Sequence, residues 1–190
     1  MNFKNKDLLL SPVRILKGAN TKARLDSVLI KNGSIKAFGE EAISLGEKLN
    51  IKINPLPKHI FAPCLVDPHS FLENPINGIY EDIGSLRNKA IQGGYGQIAL
   101  LPRATKWRDS PENLIRIKNT EDNVLIHLWG SFSKEGKGLE LSNHADLLDF
   151  GAIGIAEDDS LISSNLLKQG LLLGEMGLHP VLLAPRDLRI

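Results

Sequence analysis

The sequence predicts an α/β fold in which a small β-rich piece precedes a mainly parallel sheet. Three observations predict it. Before residue 60 the apolar residues alternate with polar ones and turn signals intervene. From Ile60 onward, apolar runs of four to seven residues recur: "IFAPCLV", "QIALLP", "VLIHLWG", "AIGIA" and "PVLLAP". Segments of helical period separate these runs, which is the pattern of βαβ units.

The elements follow in order. "LLLSPVRIL" and "VLIKNGSIKAFG" read as strands, and Asn32-Gly33 sits between two apolar runs. Asn-Gly favours the positive φ angles of a type I′ turn, so a β-hairpin is predicted there. "EKLNIKINPLPKHIF" adds an extended piece punctuated by Pro55 and Pro57. The whole of 8–60 is thus expected to be strands and turns.

Past the first apolar run, Ile83, Leu86, Ala90 and Ile91 share one helical face, and Gly93-Gly94 ends that segment. Ser110-Pro111-Glu112 supplies an N-cap and a proline at the first helical position. Leu147, Leu148 and Phe150, stopped by Gly151, predict a third helix, and "SSNLLKQGLLLGEM" a fourth. Near-continuous apolar strands suit a sheet covered on both faces. Periodicity leaves open both a doubly wound sheet and an incomplete (β/α)8 barrel.

Composition narrows the function classes. With 42% hydrophobic and 24% charged residues, the chain has the balance of a soluble globular protein. A net charge of +1, with Lys and Arg scattered among Asp and Glu, lacks the basic footprint of a nucleic-acid binder. A single cysteine, Cys64, excludes an internal disulfide and a CxxC zinc site. Cys64 lies in an apolar run, where a buried, unreactive thiol is expected. No run approaches the length of about twenty apolar residues that spans a bilayer, and "MNFKNKDLLLSPVR" does not read as a signal peptide. The expectation is a cytoplasmic protein with neither membrane nor nucleic-acid partners.

Few residues carry chemistry. "FAPCLVDPHSFLENP" places Asp67 and His69 at the end of the first parallel strand. A strand projects i and i+2 to one side, so a His-x-His pair there would offer two imidazoles to one metal. The second position is Phe71. His127, at the end of the third strand, is most simply packed or capped, and His59, His144 and His179 read as loop or helix surface. "GGYG" follows a helix and lacks a Gly-Lys-Ser/Thr ending, so it reads as helix termination. Trp107 and Trp129 read as core or loop anchors.

The ordered segments "LLLSPVRIL…VLIKNGSIKAFGEEA…FAPCLVDPHSFLENP…GGYGQIALLP…GAIGIAEDD…HPVLLAPRD" resemble the N-terminal half of the dihydroorotase branch of the cyclic amidohydrolases. The resemblance implies an incomplete TIM-type (β/α)8 barrel of about five strands, preceded by a small N-terminal β-sandwich piece. It implies a β-rich domain over 1–59 and a partial barrel over 60–190. The activity it implies is interconversion of carbamoyl-aspartate and dihydroorotate at a metal centre, in pyrimidine biosynthesis.

The family motif Asp-x-His-x-His-x-Arg appears here as Asp67, His69, Phe71 and Glu73. By the same resemblance Arg103 stands at a substrate-binding position, Glu157 of "IAEDD" at a metal-bridging position, and Ala184 where a metal histidine is expected. His69 and Glu157 would be vestigial metal ligands. A catalytic zinc takes about three protein ligands plus a water, so no cofactor is expected, and zinc if any metal is retained. The resemblance therefore points to a dihydroorotase-like protein without catalytic activity, a scaffold or binding partner. Aspartate carbamoyltransferase or self-association are the partners it suggests. The alternatives are an active metal-dependent cyclic amidase and a module binding a small anionic metabolite around Arg103 or Arg186.

Overall fold

A computed structural model describes residues 7–72, 82–114, 124–157, 160–172 and 177–184. The chain divides into two compact units, Met1–Pro63 and Cys64–Ile190.

In the first unit, β1 (Leu8–Ile15), β2 (Arg24–Lys31), β3 (Ser34–Phe38) and β4 (Ile53–Phe61) form one sheet in the order β3-β2-β1-β4. β1 pairs antiparallel with β2 and parallel with β4. Its register shifts between Leu10 and Val13, around Pro12, which has no N–H to give to a ladder. The predicted hairpin is present, with Asn32 at φ 51° and Gly33 at φ 70°, the left-handed pair that the turn requires.

The expectation of strands and turns alone is corrected at α1 (Gly39–Lys48). Glu40 and Glu41 in its first turn and Lys48 in its last suit the helix dipole. Ala42, with Leu45 packed beside it, meets Leu9, Leu29 and Ala37 on one face of the sheet. Leu10, Val13, Ile15 and Val28 cluster on the other.

In the second unit, β5 (Leu65–Ser70), β6 (Tyr95–Leu100) and β7 (Leu125–Leu128) form one parallel sheet, and β8 (Gly130–Ser131), β9 (Ile155–Glu157) and β10 (Val181–Leu183) another. β7 and β8 are consecutive stretches of chain separated by Trp129. Strand order follows chain order, and every pair is parallel. Four of the five apolar runs read from the sequence overlap strands of this unit, and the first, residues 60–66, is divided between the end of β4 and the start of β5.

Helices α2 (Ile83–Gln92), α3 (His144–Asp149) and α4 (Ser164–Leu172) contribute to the larger core. Asp82 and Ser85 form a reciprocal capping box at the start of α2, and Gly94 leaves its end at φ 80°. Ile98, Leu100, Ile126 and Ile155 pack with Ala90 and Leu147 in that core. Side chains alternate along a strand, so Ala99, Leu101, Trp129 and Ala156 occupy the opposite face. After Ser110, one 3-10 turn (Pro111–Asn113) is formed without a side-chain cap; 115–123 lie outside the described residues.

Candidate functional site

The C-terminal ends of the parallel strands carry most of the polar side chains that the sequence singled out. Within β5, Asp67 is turned onto its own segment. Its Oδ1 accepts from the His69 backbone N–H at 2.9 Å, and its Oδ2 accepts from Ser70 Oγ at 2.7 Å. His69 is exposed, and among the described residues its ring has no hydrogen-bond or ion-pair partner. Phe71 is 41% exposed, and the Arg103 guanidinium lies 5.0 Å from its ring centroid. This is cation–π distance. The structure therefore brings Phe71 and Arg103 together. Glu73, Asp158, Asp159 and Arg186 lie outside the described residues.

Glu157 ends β9 and is 2% exposed. Its neighbours fix its direction. Ile155, two residues earlier, belongs to the helix-covered core, while Ala156 belongs to the opposite face. Alternation sends the Glu157 carboxyl to the helix-covered side. There Oε2 accepts from Ser133 N at 3.1 Å and from Ser133 Oγ at 2.5 Å. Ser133 Oγ in turn accepts from Gly138 N at 2.8 Å, and Ser131 Oγ donates to Ser133 O at 2.6 Å. A cavity of about 250 Å³ borders Glu157, walled mainly by Leu161, Ile162, Leu167 and Leu183. Ala184 N donates to Glu157 O at 3.1 Å, which joins the ends of β9 and β10.

Sequence reasoning missed Ser133 and Arg108. Arg108 folds back from the loop after β6, and its Nη1 donates to Leu101 O at 2.5 Å. Burial lowers the pKa of its guanidinium from the ordinary value. The backbone of Arg108 bridges two strand ends: its N–H reaches Pro102 O and its carbonyl accepts from Ser131 N. The visible signal for Ser133 was the alternation Ser131-Phe132-Ser133 at a strand end, two polar residues around an apolar one.

Two further expectations are corrected. Cys64 is exposed, as are Leu65 and Val66 that follow it at the start of β5, and its side chain lies against Gly96. His144 is 1% exposed; its ring nitrogen Nε2 lies 2.8 Å from Phe132 O, and the ring packs on Phe132. His127 is half-buried, with Nε2 3.1 Å from Gln97 Oε1 on the adjacent strand. Trp129 is an anchor as read: its Nε1 donates to Pro68 O at 2.9 Å.

No protein-family model matches the chain. A dihydroorotase of Elusimicrobium minutum is 29% identical over 164 residues, covering 85% of this chain and 37% of the relative. A dihydroorotase of Acetivibrio thermocellus is 30% identical over 157 residues, covering 80% and 35%. A probable dihydroorotase-like protein of Synechocystis is 24% identical over 202 residues, covering 94% and 45%. Over most of its own length the chain thus resembles dihydroorotases and dihydroorotase-like proteins. It spans less than half the length of these curated relatives. Among solved structures, the L-hydantoinase (dihydropyrimidinase) of Arthrobacter aurescens aligns with a TM-score of 0.55 at 13% identity, covering 92% of this chain and 35% of that one, a likeness of fold.

The resemblance implies a metal for this chain, and the donors among the described residues do not fit one. The residue two after His69 is a phenyl ring with no lone pair, and it holds a cation against its face. One oxygen of the Glu157 carboxyl, Oε2, is engaged by Ser133, and the side chain is turned to the helix-covered side. Among the described residues no group of three or more His, Cys, Asp or Glu side chains is arranged to hold an ion. Nor, among them, is any helix long and apolar enough to cross a membrane.

Proposed function

We propose that this chain is part of a dihydroorotase-like protein that neither opens nor closes the dihydroorotate ring and serves pyrimidine biosynthesis as a scaffold or binding partner. Aspartate carbamoyltransferase, or a second copy of the chain, is the partner this reading puts forward. In it, residues 1–59 are a small β-rich domain and residues 60–190 about five strands of a (β/α)8 barrel. The sequential, all-parallel strand order supports the barrel reading, since a doubly wound sheet reverses its order at a switch point.

One observation carries the loss of catalysis: the contact of Arg103 with Phe71. In this reading His69 and Glu157 are vestiges of the ligand set. One imidazole and one carboxyl leave an ion without the about three protein ligands that hold a catalytic zinc. A guanidinium beside the vacated ligand position adds like-charge repulsion. The water that a metal would bring toward neutral pKa then has no activator.

The test is metal content and turnover together. Purified protein is incubated with zinc, desalted and analysed by plasma emission, then assayed with dihydroorotate and with carbamoyl-aspartate. The expected result is substoichiometric zinc and no turnover above the protein-free rate. Stoichiometric zinc with measurable turnover would replace this reading with an active cyclic amidase.

A further inference from the structure

A concavity in the first unit lies far in sequence from His69, Arg103 and Glu157. It has a volume of about 540 Å³, within the range of small-molecule sites, and it opens where β1 runs into β2. Strand register explains its lining. Ile15 faces Arg24 across the β1–β2 ladder, and Val13 faces Asp26. Arg24 and Asp26 therefore project on the side that carries the Val13, Ile15 and Val28 cluster. Lys17 extends the line of Ile15 past the strand end, its ammonium 5.5 Å from the Phe38 ring. The connecting loop adds Asn20, held in the left-handed region at φ 64°, then Thr21 and Lys22.

Three cations and one acid thus border a single hollow. The acid is partly engaged already, since Asp26 Oδ1 accepts the Ser27 N–H at 2.8 Å. Among the described residues, Lys17, Lys22 and Arg24 make no ion pair. Three cations against one carboxylate leave the hollow net positive, and a bound anion would relieve the repulsion among them. Arg offers a planar fork to oxyanions and Lys a compact point charge, the pair of groups that grips phosphate oxygens. Asn20 and Thr21 supply uncharged polar groups beside them. Ile15, 5% exposed, gives the hollow an apolar wall.

We propose that this hollow binds a compact anion of phosphate type carrying two or more negative charges. The site is independent of the metal position and of the loss of catalysis argued above. The chemistry is shared by free polyphosphate and by the phosphates of a nucleotide, and the test separates these sources.

Calorimetric titrations with pyrophosphate and with ADP, at matched ionic strength, are run on the whole chain and on two variants. The first, Lys22→Ala with Arg24→Ala, removes two lining cations. The second, Lys36→Ala with Lys58→Ala, removes the same charge from exposed positions outside the hollow. Saturable binding is expected, weakened at least about tenfold in the first variant and unchanged in the second, each positive-to-neutral contact being a charge-assisted bond. Equal affinity for the two probes assigns the site to free polyphosphate, and tighter ADP binding assigns it to a nucleotide. Amide shifts on the unsubstituted protein give a reading that no variant can spoil: pyrophosphate should move Asn20, Thr21 and Lys22. No saturable binding, equal weakening in both variants, or shifts scattered over the surface would overturn the proposal.

Discussion

Ser133 Oγ donates a hydrogen bond to Glu157 Oε2 at 2.5 Å, joining the ends of two neighbouring parallel strands across 24 residues of sequence. The Ser133 backbone N–H reaches the same oxygen. Both residues are fully buried, so this bond makes an acidic side chain tolerable in an otherwise apolar layer.

The first prediction concerns that pair. Ser133→Ala removes the hydroxyl donor to Glu157 and the acceptor for Gly138 N together. A lost hydrogen bond to a buried acid is worth about 1.5–3 kcal/mol. Urea unfolding should register a loss in that range. Glu157→Gln retains an oxygen that can accept from Ser133, and its loss should be smaller. Equal losses in the two variants would mean that the pair is not what holds the strand ends.

A packing prediction follows from Gly170 in α4. A Cβ built there would stand 2.4 Å from Phe132 Cζ, and the Phe132 ring is fully buried and packed on His144. Gly170→Ala should destabilise the protein by about 1–3 kcal/mol through overpacking, less up to about 1 kcal/mol returned by better helix propensity. Phe132→Leu would make room. In a double-mutant cycle the cost of Gly170→Ala should fall when Phe132→Leu is present, giving a non-additivity that thermal unfolding can measure.

Cys64 yields a chemical prediction. It is a free, exposed thiol at the entry to β5. Native protein should react with Ellman's reagent to about one thiol per chain, without denaturant, because access and not unfolding limits the reaction. Protection until urea is added would show the thiol covered in solution.

Much of this fold was legible because its strands are continuous apolar runs and its turns use diagnostic residues. Asn32-Gly33 and Gly93-Gly94 announced a hairpin and a helix end, and both are present. α1 was not legible. It has only ten residues and contains glycine at 39 and 46, which imitates turn composition. The second of these is a packing choice: a Cβ at Gly46 would come within 2.6 Å of Leu9 Cδ2.

The candidate site was harder to read still. Residue type marked Glu157 as acidic and near a strand end, but only its neighbours Ile155 and Ala156, sorted to opposite faces, show which way it points. His144 looked like surface because Asn143 and Asp146 flank it. Its burial depends on the carbonyl of Phe132, twelve residues away. Long-range partners of this kind leave no local pattern.

The last prediction addresses the position where the resemblance asks for a second imidazole. Phe71→His would rebuild His-x-His at the end of β5 and remove the ring that Arg103 now covers. If the ligand gap were the only obstacle, zinc binding would return at once. Two imidazoles still fall short of the about three protein ligands that a catalytic zinc uses, and the Arg103 charge stays beside them. Glu157 already engages Ser133 through Oε2 and faces the helix-covered side, so it is not a ready third ligand. The single variant, loaded with zinc and desalted, should therefore retain well below one ion per chain. Adding Arg103→Ala should raise retention by removing a repelling charge, yet still leave dihydroorotate turnover at the protein-free rate. Full occupancy in Phe71→His alone would show that the site lacks one ligand and nothing else.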